Sequence, residues 1–123
     1  MNNTGITISS TQICICVYWR GENMFDSACA EANIFDEINT WYICRVFVKE
    51  HLRGKKIGSQ ILQTLLTEIK KQHAKKVIVT PGGYDVDEDR QFNFYIKNGF
   101  KHSTEDEKML VFSFSETDDG AHT

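Results

Sequence analysis

Residues 53–58 read Arg-Gly-Lys-Lys-Ile-Gly, three cations and two glycines within one turn's length. The apolar run Trp41–Val48 comes just before this turn and the amphipathic run Ile57–Gln72 just after it, so it joins a strand to a helix start. Turn amides and a helix N-terminus direct the positive ends of their N–H dipoles at one spot, which suits an anion. Gly54 and Gly58 allow backbone to approach a ligand with no Cβ in the way, while Arg53, Lys55 and Lys56 add charge. The expectation is a phosphorylated ligand. No Gly-Lys-Ser/Thr closes the turn and no G-x-G-x-x-G is present, so neither a nucleotide P-loop nor a dinucleotide fingerprint fits.

The stretch Val46-Phe47-Val48-Lys49-Glu50-His51-Leu52-Arg53-Gly54-Lys55-Lys56-Ile57-Gly58 resembles motif A of the GCN5-related N-acetyltransferases. There a strand enters an Arg/Gln-x-x-Gly-x-Gly/Ala turn. Arg53 and Gly58 fit its first and last positions, and Lys56 stands at the middle glycine. About forty residues later, Phe94-Tyr95-Ile96-Lys97-Asn98-Gly99-Phe100 resembles motif B of the same family, Leu/Phe-Tyr-x-Lys-x-Gly-Phe. The two motifs cover roughly residues 41–102.

The resemblance implies an acyl-CoA N-acyltransferase fold of the α/β type, a central twisted mixed sheet with flanking helices. It implies acetyl-CoA as cosubstrate. Backbone groups of Val46, Phe47 and Val48 would hold the pantetheine arm, and Arg53, Gly54, Lys55, Lys56, Ile57, Gly58 and Ser59 would hold the pyrophosphate. Tyr95 takes the place of the general acid that protonates the departing thiolate, and a phenol of ordinary pKa, about 10, carries its proton at neutral pH. Some family members place a glutamate base on the motif A strand where this chain has Tyr42. Glu31, Asp36, Glu37, Glu50 and His51 are the nearby alternatives, each more simply read as a surface charge, and no base is assigned.

These residues need elements to position them. Trp41–Val48 is the strongest strand, rich in β-branched and aromatic residues. The following helix carries Ile57, Ile61, Leu62, Leu65, Leu66 and Ile69 on one stripe. Lys75–Thr80 returns as a short strand through Val77-Ile78-Val79, ended by Pro81-Gly82-Gly83, which makes a parallel pair. Asp87, Glu88 and Asp89 read as N-cap and acidic first turn of a second helix. Phe92, Tyr95 and Ile96 form its apolar face, and Gly99 stops it. Phe100–His102 and Met109–Phe114 pair around Ser103–Lys108.

Upstream, Gln12–Trp19 alternates, with Ile13, Ile15, Val17 and Trp19 on one face and Cys14, Cys16 and Tyr18 on the other. Both faces are fairly apolar, so the reading is a strand covered on both sides. After the turn Arg20–Asn23, Met24–Ala32 returns as a strand whose alanines demand close packing, with a short helix as the alternative. Asp36–Thr40 is a loop. Ile6–Ser9 is at most an edge strand, and residues 1–4 and 115–123 are frayed ends of a single domain, 1–123. Only the turn Ser9–Gln12 separates the first two strands, where the family usually inserts one or two helices. The N-terminal half is therefore a shortened version, with a wide and shallow acceptor groove unless a second subunit walls it.

With 123 residues, 41% apolar and 25% charged, the chain suits one ordinary globular domain. Its net charge of −3 argues against a nucleic-acid coat, and neither a membrane span nor a signal peptide is recognisable. Cys14, Cys16, Cys29 and Cys44 lack C-x-x-C spacing, so no metal site is expected. They read as small core hydrophobes in a reducing cytoplasm. The function the resemblance implies is acetyl transfer to a primary amine by direct attack in a ternary complex. The open groove suits a protein lysine or N-terminus over a small metabolite, and a homodimer could close the site. The alternatives are a small-molecule amine acetyltransferase or a non-catalytic acyl-CoA-binding module on the same fold.

Overall fold

The computed structural model describes residues 5–21, 26–35, 39–82 and 87–114. Their strands are β1 (Gly5–Ser10), β2 (Cys14–Arg20), β3 (Ser27–Ile34), β4 (Thr40–Val48), β5 (Lys76–Val79), β6 (Lys101–His102) and β7 (Leu110–Ser113). Helix α1 (Ile57–Lys70) lies between β4 and β5, and α2 (Glu88–Lys97) between β5 and β6. The strands form one seven-stranded sheet in the order β1-β2-β3-β4-β5-β7-β6. Only β4 and β5 run parallel; the other neighbours are antiparallel. This is the mixed sheet expected, with α1 as the crossover of its parallel pair.

Helix α1 builds the core. Its stripe Ile57, Ile61, Leu62, Leu65, Leu66 and Ile69 is buried along its whole length. Burying one such side chain contributes about 1.5–3 kcal/mol. Beneath it lie Ile15 and Val17 of β2, Ala28, Ala30 and Ala32 of β3, Trp41 and Ile43 of β4, and Val77 and Val79 of β5. The β3 alanines stand opposite the larger β2 residues, Ala30 against Val17 and Ala32 against Ile15. Small side chains at the centre let the helix axis come close, so β3 is a strand and not the alternative helix. Asn39 ties the far end of α1 to the start of β4. Its Nδ2 donates to the carbonyl oxygens of Gln72 and His73, and its Oδ1 accepts from the Trp41 indole at 3.2 Å.

The chain between β1 and β2 is a turn, as expected, closed by Thr11, whose backbone N–H donates to the Cys14 carbonyl at 2.9 Å. No helix is inserted there, and no helix among the described residues covers the opposite face of β2. Cys14 and Cys16 are half-buried and Tyr18 is 48% exposed. Two-sided burial of this strand is thus corrected. Its apolar residues on both faces do not themselves supply a second layer. The cysteines are corrected with it, since none is fully buried and Cys44 is exposed. Ile13 precedes the strand and is exposed, and Ile96 of α2 is exposed as well, its place in the core being taken by Phe94. The expected N-cap holds, with Asp87 Oδ1 accepting from the Arg90 N–H at 3.1 Å. Asp36, Glu37 and Asp85 fall outside the described residues, as do parts of the Arg20–Asn23 and Asp36–Thr40 turns and both expected frayed ends. No described helix is long and apolar enough to cross a membrane.

Candidate active site

Strands β4 and β5 pair only at Thr40–Tyr42 with Lys76–Ile78. Strand β5 ends at Val79, and Pro81 and Gly82 follow, residues that do not continue a ladder. Strand β4 runs on to Val48, paired with β3 on its other edge as far as Val48 opposite Ala28. Among the described residues, the β5-side edge of β4 beyond Tyr42 has no strand partner. An open edge of backbone donors and acceptors accepts an extended ligand as though it were another strand. Val46, Phe47 and Val48 sit on this edge. Val46 points toward α1, Val48 packs there too, and Phe47 projects to the uncovered face with 46% exposure.

The edge leads straight into the basic turn. A single 3₁₀ turn, Glu50–Leu52, follows β4, and buried Leu52 anchors it. The Arg53 Nε then donates to the Val48 carbonyl at 3.0 Å, which holds the exposed guanidinium at the end of the strand. Lys56 is the N-cap of α1 and takes the left-handed conformation, φ 64° and ψ 14°. This is the position of the family's middle glycine, so lysine here keeps a glycine-like backbone. No side chain caps the helix, and no acidic residue lies in its first turn. The first amides of a helix lack intrahelical acceptors. Those of Ile57, Gly58 and Ser59 therefore open toward the space beside Arg53, Lys55 and Lys56. A left-handed lysine costs roughly 1–2 kcal/mol, and glycine's added freedom in the unfolded chain returns about 0.4–1 kcal/mol of that. Lys56→Gly is expected to raise the denaturation midpoint slightly. A loss of more than about 0.5 kcal/mol, beyond the usual surface range, would assign the lysine side chain a part in holding the turn.

On its Cα side Gly58 also makes a close approach to protein. A Cβ there would stand 3.2 Å from Phe94 Cε1 and 3.4 Å from Val48 Cγ2. The first turn of α1 thus docks against α2. Asn98, at the C-cap of α2, locks the contact. Its Nδ2 donates to Ser59 Oγ at 3.1 Å and to the Phe94 carbonyl at 2.8 Å, and its Oδ1 accepts from Gln63 Nε2 at 3.1 Å. At Gly99, φ is 102° and Phe112 lies 2.9 Å from an added Cβ, so glycine is required where α2 stops.

Tyr95 lies between these contacts. Its ring packs edge-on against Phe94 at 5.1 Å and Phe100 at 5.3 Å, and the residue is only 5% exposed. Burial, and secondarily the charge of Tyr42 if ionised, pushes its phenol well above the ordinary range. No hydrogen bond to the Tyr95 hydroxyl is formed among the described residues.

Residues 11–102 match the model of the acetyltransferase (GNAT) domain. The chain belongs to the GNAT acetyltransferase family. Its fold is also that of solved GNAT structures. PaiA N-acetyltransferase from Thermoplasma acidophilum, in complex with coenzyme A, superposes with a TM-score of 0.68 at 20% identity over 83% of this chain. The present chain spans 62% of the PaiA chain's length. A GNAT family acetyltransferase from Elizabethkingia anophelis, with acetyl-CoA bound, gives 0.71 at 15% identity, covering 91% of this chain and 99% of the other. The Escherichia coli GNAT family N-acetyltransferase YhbS, in complex with CoA, gives 0.71 at 8% identity over 95% and 84% of the two chains. No curated protein matches the chain at significant similarity.

Around this GNAT framework the expected residues separate into groups. Val46–Val48, Arg53, Gly54, Lys55, Lys56 and Ile57–Ser59 form one continuous strand-turn-helix surface. Ile57 offers only backbone, because its side chain is in the core, and the Ser59 hydroxyl is engaged by Asn98. Of the candidate bases, His51 Nε2 lies 2.7 Å from Asp26 Oδ1, a bond that ties the 3₁₀ turn to the start of β3. Glu31 lies on the uncovered face, with an oxygen 3.9 Å from Arg45 Nε, and Glu50 is exposed. Two shallow depressions, about 340 Å³ beside Tyr18, Arg45 and Phe47 and about 330 Å³ between α1 and β7, both miss the basic turn. Geometry decides here over depth: an anion held by amides on a turn, and an arm laid along a strand edge, need donors in line and not an enclosed cavity.

Asn98 is the site residue that motif spacing does not reveal, since motif B leaves its position open and its partner Ser59 is 39 residues away. Asn98→Ala removes three side-chain hydrogen bonds. At about 1 kcal/mol for a typical bond, and discounting the exposed Gln63 arm, a destabilisation of about 1–2 kcal/mol is expected. Urea denaturation checks it. A change under about 0.5 kcal/mol, the ordinary surface range, would leave packing alone to join the helices.

Proposed function

We propose that this chain is an acetyl-CoA-dependent N-acetyltransferase acting on a primary amine, with a protein lysine or N-terminus as acceptor. The observation that carries the reading is the open β4 edge leading into an uncapped, basic helix start. The edge suits the amide-rich pantetheine arm and the turn suits the pyrophosphate. The coenzyme A or acetyl-CoA bound in the three related structures supports this donor.

The neutral amine nitrogen attacks the thioester carbonyl carbon, the C–S bond breaks, and the thiolate leaves. Backbone N–H groups on the β4 edge polarise the carbonyl. Tyr95 gives its proton to the sulfur and recovers one through solvent from the acetylated nitrogen. Thiol burial raises sulfur basicity as it raises the phenol, so the transfer is not opposed by burial alone. The turn at Thr11–Ile13 leaves no helical wall beside the acceptor, which favours a folded protein that brings its own wall and orients the amine through remote contacts. Four free cysteines suit a cytoplasmic setting.

The test is steady release of coenzyme A thiol from the full chain with a matched panel of small amines, peptides and folded proteins at equal amine concentration. Turnover with proteins ahead of small amines is expected. A small amine leading by about tenfold in kcat/KM, or 1.4 kcal/mol of barrier, would overturn the acceptor reading, and mass in solution would then show whether a dimer walls the groove. No turnover with any acceptor, alongside acetyl-CoA binding, would leave a non-catalytic binding module.

A further inference from the structure

The face of the sheet that α1 leaves uncovered gathers donors that no single stretch of sequence brings together. Cys14 and Cys16 project from β2 two residues apart, and Cys16 stands directly opposite Glu31 of β3. Their two sulfurs are 4.0 Å apart. One donor atom from each of Cys14, Cys16 and Glu31 lies within 4.8 Å of the others, and all three residues are half-buried. Among the described residues Glu31 pairs with Arg45, whose Nε is 3.9 Å away and whose side chain is 65% exposed. Three potential anions face one another, and the counter-charge paired with them among the described residues is solvated.

Two chemistries could relieve this. A disulfide needs Cβ atoms about 3.5–4.5 Å apart. Alternate residues of a strand are spaced by roughly 6.6 Å along the chain, so closing the Cys14–Cys16 pair would distort β2. A tetrahedral zinc ion with bonds of about 2.3 Å places two sulfurs about 3.8 Å apart, close to the separation seen. A carboxylate from the neighbouring strand then adds a third ligand of a type zinc accepts. We propose that Cys14, Cys16 and Glu31 form a zinc site with its fourth position open to solvent, clamping β2 to β3 on the uncovered face. Binding releases the two thiol protons to solvent. This revises the expectation of no metal, which rested on the lack of C-x-x-C spacing. The ligands come from paired strands instead of one loop. The proposal stands independently of acetyl transfer.

The test uses the full chain, kept reduced by a phosphine, stripped by a chelator and titrated with Co²⁺ and then Zn²⁺. One equivalent of Co²⁺ should produce a thiolate charge-transfer band with tetrahedral d–d absorption, and Zn²⁺ should bleach it. Added Zn²⁺ should raise the melting temperature, since it binds the folded state. Cys14→Ser and Cys16→Ser should each weaken binding by more than the roughly 10–100-fold typical of losing an outer-shell partner. Glu31→Gln, nearly isosteric, tests the carboxylate if a serine variant fails to fold. Cys29→Ser, on the same face outside the cluster, should bind as the native chain does. Absence of the charge-transfer band, unchanged affinity in the folded Cys14→Ser/Cys16→Ser or Glu31→Gln proteins, or an equal loss from Cys29→Ser would overturn the site.

Discussion

Tyr95→Phe should lower turnover by about 10²–10⁴-fold, the range for general acid catalysis, while acetyl-CoA affinity stays within about twofold. Phenylalanine keeps the ring that packs against Phe94 and Phe100. It deletes only a hydroxyl that no described residue engages, so the fold has little to lose. The pH profile adds a second readout. Burial raises the Tyr95 phenol, and a raised acid keeps its proton to higher pH than a free phenol does. No alkaline loss of activity from this group is therefore expected below about pH 10. A mutant within twofold of native turnover would return Tyr95 to the role of a core aromatic, whereas an alkaline limb near neutrality that the mutation removes would overturn the raised phenol.

The local features of this site were legible in the chain because their causes are local. Glycine content, basic residues and a switch from strand to helix periodicity mark residues 46–59, and an acidic N-cap followed by a glycine stop marks α2. Departures arise where the cause lies in another element. Strand β2 carries apolar residues on both faces, and its own alternation cannot say which face meets a helix; α1 decides that by docking on the β3 alanines. Gly58 has a second role that its own stretch does not show, since its neighbour is Phe94, some 36 residues downstream. Cys16 and Glu31 become adjacent only through the β2–β3 register. Register is set by the turn and by which face is buried, neither of which is written at the cysteines themselves. The Lys56 substitution is the reverse case. The sequence shows a departure from the family's glycine, and the structure shows the glycine's conformation retained.

Arg53→Glu should weaken acetyl-CoA binding by more than about tenfold, or 1.4 kcal/mol, as measured by calorimetry. Two effects act in the same direction. A negative charge replaces a positive one beside the proposed pyrophosphate position, and the Nε bond that fixes the turn to the Val48 carbonyl is lost. Arg53→Gln separates them, since it removes the charge without reversing it and glutamine's amide can still donate toward Val48. The expected order of affinity is native, then Arg53→Gln, then Arg53→Glu. The charge contribution should shrink as ionic strength rises, because Arg53 is exposed and screening acts over a Debye length of about 10 Å at 0.1 M salt. The difference between the glutamine and glutamate variants should therefore narrow in high salt, while the loss from native to glutamine should persist. Lys56→Glu serves as a comparison on the other side of the turn, with no side-chain bond at the N-cap to lose. Equal affinity of native and Arg53→Glu proteins at low salt would remove the pyrophosphate from this turn. The open β4 edge would then have to hold the cofactor without an anion site at its end.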